Sequence, residues 1–366
     1  MTYLIVFINF IYHSGIAILP KRISKIWWGR PFVGVILLLW LAIFYGRPPQ
    51  VTEVARKYTL RLAFFPNLTH APALIGVQRG DFAKALKDTT LKTTVFANGP
   101  EAMEALLANA IDVAFVGPSP AINTWQKTKG KALTILAGVC SGGAALITRK
   151  GVTIQSLRDL DGKRVGVPQL GGTQDISLRG FMQPMGLRPL EKGGTVTILP
   201  MKPADMLPLF KRQQLDAAWI PEPWVARLME DTGATLYIDE RTLWDQGRFT
   251  TTLLVVRREY LEKNREQVEA LLEAHVRVVN WMKKHPEEAK KRVNEELKRL
   301  TTKALPDNVL QKAWARMTFT TDPQIESLMK QAQMAVDAGY LKALPDSKAL
   351  WDEQPLSAAQ RRAAIP

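Results

Sequence analysis

RLAFFPNLT (Arg61–Thr69) and RVGVPQL (Arg164–Leu170) follow one plan: a β-rich run, a proline, an amide side chain, a leucine, then a loop that enters a helix. A second pair of segments keeps nearly the same offset. Ile111-Asp112-Val113-Ala114 and Leu215-Asp216-Ala217-Ala218 each follow an amphipathic stretch and run into a Pro-x-Pro, at Pro118-Ser119-Pro120 and Pro221-Glu222-Pro223. Two matches at one spacing predict two similar α/β lobes. Around them strand-like runs (Thr59–Phe65, Leu91–Phe96, Asp112–Val116) alternate with helical ones, such as Pro100–Ala110 with Met103, Leu106, Leu107 and Ala110 on one face. That alternation predicts mainly parallel, doubly wound sheets. Such sheets bind ligands at the carboxyl ends of their strands, so two of them are expected to enclose a cleft.

Two further strand-like runs, Ala144–Arg149 and Phe249–Arg257, are placed to cross between the lobes. The expected organisation is a first lobe over 58–145 and 250–350, a second over 146–249, and a polar, loosely held tail over 351–366. Helices are expected over Leu261–Lys284, Glu287–Leu300, Asp307–Met317 and Asp322–Ala338.

The composition is that of a globular chain, 46% hydrophobic and 23% charged, with 49 Lys plus Arg against 34 Asp plus Glu and a formal charge of +15. One cysteine, Cys140, excludes an internal disulfide framework and any multi-cysteine metal site, and four histidines make a His-rich cage improbable. No cofactor and no metal are therefore expected. The cation clusters Lys283-Lys284, Lys290-Lys291-Arg292 and Lys298-Arg299 are interspersed with Glu and lack a stacking-aromatic platform, so they read as solvated helix faces rather than a nucleic-acid groove.

Residues 1–46 carry four cations (Lys21, Arg22, Lys25, Arg30) and no acidic residue. Phe32 to Tyr45 (FVGVILLLWLAIFY) is apolar throughout and follows those cations. This is the layout of a secretory signal or signal anchor, although the run is shorter than the roughly 20 residues of a spanning helix. The expectation is export, as a cleaved form or held by an uncleaved segment, with a linker over 47–57. The upstream run Met1–Leu19 reads either as a first membrane segment or as a stretch ahead of the true start.

Five loops should meet in the cleft: Pro66–Pro72, Gly117–Pro120, Cys140–Ala144, Gln169–Asp175 and Ile220–Trp224. None contains Lys or Arg. Their glycines, including Gly142, Gly143 and Gly172, let backbone N–H groups approach a ligand, and Asn67, Ser119, Ser141, Thr173 and Gln174 add neutral hydrogen-bonding groups. Helix starts there favour an anion held by dipoles alone. For any one loop a plain connecting turn is an equally good reading; the set of five carries the argument. His70 can touch the anion or be satisfied by backbone. Trp219 and Trp224 can wall the cleft or belong to the core. Cys140 reads as a small packing residue without a local base. Glu222 would repel an anion, so it pairs with a ligand amine, or it caps backbone and braces the hinge.

The segment Phe64-Phe65-Pro66-Asn67-Leu68-Thr69-His70-Ala71-Pro72 resembles the first ligand loop of the nitrate/sulfonate/taurine-type periplasmic binding proteins. The likeness continues through Asn98–Ala102, Val116–Pro120, Ser141–Ala145, Pro168–Asp175 and Ala218–Trp224, covering about Tyr58 to Leu344. The branch it is most similar to is the aliphatic sulfonate-binding proteins of ABC importers. The resemblance implies a two-lobed periplasmic-binding-protein fold (type II), with a ligand cleft between lobes joined by two crossover strands. It also implies a monomer that delivers a small-molecule anion to a membrane permease. By motif position, ligand contacts fall at Asn67, Ser119, Ser141, Gly143, Thr173, Gln174 and Glu222, and the candidate set is completed by His70, Gly142, Gly172 and Trp219. The solute this resemblance implies is an aliphatic sulfonate or taurine, with nitrate, a thiamine-precursor pyrimidine, or an enzyme on the same fold as alternatives. No GxSxG, HExxH, Walker A or GxGxxG occurs in a fitting context. The chain departs from lipid-anchored relatives in that no cysteine directly follows its apolar run, Cys140 lying far beyond it.

Overall fold

The computed structural model describes residues 58–364; the expected signal or anchor over 1–46 and the linker over 47–57 lie outside the described residues. In chain order the first part comprises β1 (Tyr58–Phe64), α1 (Ala71–Gln78), α2 (Asp81–Ala85), β2 (Thr89–Val95), α3 (Gly99–Leu107), β3 (Val113–Val116), α4 (Pro118–Lys127) and β4 (Leu133–Gly142). The second comprises β5 (Ala144–Thr148), β6 (Arg164–Val167), α5 (Thr173–Met182), β7 (Thr197–Pro200), α6 (Pro203–Lys211), β8 (Ala217–Pro221), α7 (Trp224–Thr232) and β9 (Thr235–Asp239). The chain ends with β10 (Thr250–Arg257), α8 (Arg258–Lys263), α9 (Arg265–Lys284), α10 (Pro286–Thr301), α11 (Asp307–Trp314), β11 (Met317–Phe319), α12 (Ile325–Asp337), α13 (Ser347–Leu350) and α14 (Glu353–Ala363).

These strands form two sheets, β11-β4-β10-β3-β1-β2 and β7-β6-β8-β5-β9. Each has three parallel strands, β2-β1-β3 or β7-β6-β8, followed by antiparallel ones. The order is the same in both sheets, with β11 added at one edge of the first. The repeat noted in the sequence has a physical basis in two copies of one ion-pair unit. Asp112 Oδ2 accepts from the backbone N–H of Arg61 at 3.0 Å and its Nε at 2.8 Å, while Arg257 Nη2 binds Oδ1 at 2.9 Å. Asp216 Oδ2 accepts the same two bonds from Arg164, both at 2.9 Å, and Arg149 Nη2 lies 3.7 Å from Oδ1. In each sheet the carboxylate just ahead of β3 or β8 fastens it to the neighbouring parallel strand, at Arg61 in the middle of β1 or at Arg164, which opens β6, and the second arginine comes from the antiparallel strand or the residue just after it. The pairing holds both Asp carboxyls below the usual carboxylate range.

The chain passes between sheets twice, from β4 to β5 at Gly143 and from β9 to β10 through residues 240–249. The crossings are these connections rather than the interiors of β5 and β10, each of which lies in one sheet. At the first crossing Gly143 has φ +76°, and a Cβ there would stand 2.6 Å from Met317 Cγ, so the position requires glycine.

Three sequence expectations are corrected. Leu133–Gly142 is a strand buried along its whole length, so Cys140–Gly142 is not a loop; burial on both faces removes the period-two pattern that marks a strand. The helix expected over Leu261–Lys284 is two helices, interrupted at Asn264. After Trp351 the chain is not loosely held, because α14 packs on α9 and buries Leu356 and Ala359. Among the described residues no helix is long and apolar enough to cross a membrane.

Candidate ligand-binding site

A cleft of about 400 Å³ lies at the carboxyl ends of the parallel strands of both sheets. Four of the five loops singled out in the sequence line it, through Pro66, Asn67, Thr69 and His70, Gly117 and Pro120, Gln169, Gly172, Thr173 and Gln174, and Pro221 and Trp224. The fifth, Cys140–Ala144, contributes none of the lining residues, because it is the inter-sheet strand connection. The two sides approach each other at Gly117, after β3, and Thr173, which opens α5. A Cβ on Gly117 would stand 2.8 Å from Thr173 Oγ1, so the bare glycine lets these loops meet.

Helix α5 supplies the electrostatics. Its N-cap is Gly172 and no side chain caps it, so the leading N–H groups of Thr173 and Gln174 are left as donors beside the cleft. The acidic residue of that first turn does not cancel this polarity. Asp175 is buried, accepts from the Gly171 N–H at 2.8 Å and pairs with Arg179 at 2.8 Å. On the opposite side Asn67 caps the short turn Leu68–His70, its Oδ1 accepting from the Thr69 N–H at 2.9 Å. His70 is buried against the Phe65 ring, with centroids 4.5 Å apart, and its Nδ1 accepts from the Phe65 N–H at 3.4 Å. Burial pushes the His70 imidazole down to about 3, so it is neutral, and the bond at Nδ1 puts the ring proton on Nε2.

Several candidates lie elsewhere. Trp219 is fully buried in the core of the second sheet, stacked on Phe181 and donating to Glu240 Oε2 at 2.6 Å, so it walls no ligand. Ser141 donates to Gln324 Oε1 at 3.0 Å and borders a separate groove with Arg241 and Arg248. Ser119, in the first turn of α4, borders a small space under α12, beside Gln331 and Tyr340. Gly142 and Gly143 belong to the strand crossing. Glu222 is fully buried, its Oε1 paired with Arg316 Nη1 at 2.6 Å and its Oε2 accepting from the Ala226 N–H at 3.1 Å. Of the roles open to it, capping and bracing is the one the geometry bears: Arg316 already occupies the carboxylate that a ligand amine would need. Asn67, His70, Gly172, Thr173 and Gln174 are the candidates brought together.

Sequence reasoning missed Phe65, Asn98, Lys202, Thr251 and Thr301, all of which line the cleft. Lys202 is the one charged side chain among the described lining residues, and it is exposed ahead of α6. Its signal was the β-rich run ending at Pro200, which marks β7 and puts Lys202 at a carboxyl strand end.

The profile of the NMT1-like family matches residues 53–296. The taurine-binding periplasmic protein of Escherichia coli (strain K12) is 26% identical over 205 residues, covering 56% of this chain and 61% of that one. A putative binding protein of Brucella abortus (strain 2308) is 25% identical over 197 residues, 54% of this chain and 59% of its own. The matched region thus spans about three fifths of the length of these relatives. Among solved structures, the periplasmic nitrate-binding protein of Synechocystis PCC 6803 superposes with a TM-score of 0.71 at 19% identity, over 86% of this chain and 90% of that one. The same fold also occurs in the desulfurization enzyme DszB, with a TM-score of 0.57 at 14% identity, over 84% of this chain and 99% of that one. The chain belongs to the NMT1-like family and has the two-lobed fold of the periplasmic binding proteins.

Proposed function

We propose that this protein is the extracytoplasmic solute-binding component of an ABC importer, capturing a small organic sulfonate and handing it as a monomer to a membrane permease. The observation that carries this reading is the uncapped start of α5 facing a neutral His70 across a cleft without carboxylates among its described lining residues. Oriented N–H dipoles hold an oxyanion reversibly, and Lys202 adds one positive charge at the margin. Pro66, Pro120, Pro168, Pro203 and Trp224 supply apolar wall for an organic tail, which favours a sulfonate over nitrate. The site residues of this proposal are Asn67, His70, Gly172, Thr173 and Gln174. Two sheets joined by two connections can close when both touch one ligand, and the ligand biases that equilibrium by its extra contacts in the closed form.

The ring surfaces would also suit a thiamine-precursor pyrimidine, but a neutral heterocycle leaves Lys202 and the α5 dipole unused. A thermal-shift panel over alkanesulfonates, taurine, nitrate and that pyrimidine tests the reading. Sulfonates should raise Tm in a concentration-dependent manner and be recovered unchanged. Stabilisation by the pyrimidine alone, or conversion of the bound sulfonate to a product, would overturn it.

A further inference from the structure

The walls of the cleft and its missing charge narrow the ligand further, on the premise that the site holds a sulfonate. An aminoalkanesulfonate brings an ammonium group that needs an acceptor, and an anionic one once water is excluded. No Asp or Glu is among the described lining residues, Glu222 is committed to Arg316, and Lys202 would repel a second cation. What the cleft offers instead is ring surface. Phe65 and His70 form one tilted pair, and Trp224 opens α7 on the other sheet. The Arg227 guanidinium lies over the Trp224 ring, 5.0 Å from its centroid, and Arg227 in turn meets Asp231 at 3.4 Å. The indole is thus held by its own helix and by the core of the second sheet, against which it packs half-buried, and it borders the cleft. A planar, amine-free tail matches such walls better than a flexible chain, because it stacks without losing rotamer freedom.

We propose that the cleft selects arenesulfonates, with the sulfonate at the start of α5 and the ring against Trp224, over aminoalkanesulfonates. Calorimetric titration of the full chain with p-toluenesulfonate, butane-1-sulfonate and taurine tests it. The arenesulfonate should bind about 3- to 10-fold more tightly than the alkanesulfonate, the worth of one aromatic contact, and taurine should be the weakest. Trp224→Leu should weaken p-toluenesulfonate about 3- to 10-fold more than butane-1-sulfonate and so erase the preference for the ring, and Trp224→Phe, which keeps a ring, should retain most of it. Taurine binding as tightly as p-toluenesulfonate, or Trp224→Leu weakening both tails equally, would overturn the proposal while leaving sulfonate capture intact. Failure of all three compounds to bind would instead overturn the sulfonate reading on which it rests.

Discussion

Replacing Glu240 with glutamine should flatten the pH dependence of stability. Glu240 opens the second connection between the sheets and is fully buried. Its carboxylate accepts from Ser177 Oγ at 2.6 Å, Trp219 Nε1 at 2.6 Å and Trp244 Nε1 at 3.3 Å, with no cation paired to it among the described residues. Burial pushes the carboxyl up from 4.5 to about 7, against the pull of those three donors. A raised carboxyl means that between these two values the folded protein holds a proton that the unfolded chain has lost. Stability therefore falls as pH rises through that window, by about 3 kcal/mol at about 1.4 kcal/mol per pH unit. His70 and His275 act in the opposite sense, because burial pushes them down to about 3 and about 4 and stability is gained as the unfolded histidines lose their protons up to 6.5. Only the difference between variant and parent isolates Glu240. Urea unfolding at pH 5, 6, 7 and 8 should show the parent losing about 2–3 kcal/mol more than Glu240→Gln between the extremes. The variant should start lower at pH 5, since its amide sets two new N–H donors among three existing ones. Identical slopes in the two proteins would refute the reasoning.

Arg316→Leu should cost about 3–5 kcal/mol by leaving the fully buried Glu222 unpaired, and adding Glu222→Leu should restore much of it; urea denaturation of the four-member cycle reads the coupling. Gly117→Ala should weaken ligand binding by about 1 kcal/mol, or roughly 5-fold, with little loss of stability, because the new methyl meets Thr173 where the two sides of the cleft touch; calorimetry beside a thermal melt separates the effects. Nitrogen NMR of His70 should report a neutral ring protonated at Nε2 throughout pH 5–8, as its burial and the bond at Nδ1 require.

The repeat was legible in the sequence because Arg61 with Asp112, and Arg164 with Asp216, are two copies of one ion-pair unit and must recur at fixed places relative to their strands. Strand β4 left no mark, since burial on both faces replaces alternation with a continuous apolar run that reads equally as linker or helix. The cleft loops could be found from Gly, Pro and amide residues that start helices, which is why Asn67, His70, Gly172, Thr173 and Gln174 converge. Trp219 and Ser141 misled because a neighbouring motif gives position along the chain but not side-chain direction. Along β8 and β4 successive side chains point to opposite faces; Trp219 points into the core and Ser141 toward the separate groove beside Arg241. Lys202 was missed for a related reason: it follows β7, a short strand, and only the folded sheet brings it beside α5. The +15 charge proved a poor guide, for the cation-rich helices α9 and α10 carry nearly as many Glu as Lys and Arg, with Glu273–Arg277 and Glu288–Arg292 paired along the surface.

A crystal structure of the protein grown with an organic sulfonate tests the central claim most directly. The sulfonate oxygens should lie within hydrogen-bond distance of the Thr173 and Gln174 N–H groups, with His70 Nε2 facing them and the tail along Trp224. Sulfonate density in the groove beside Ser141, Arg241 and Arg248, with the cleft at α5 holding only solvent, would contradict the account.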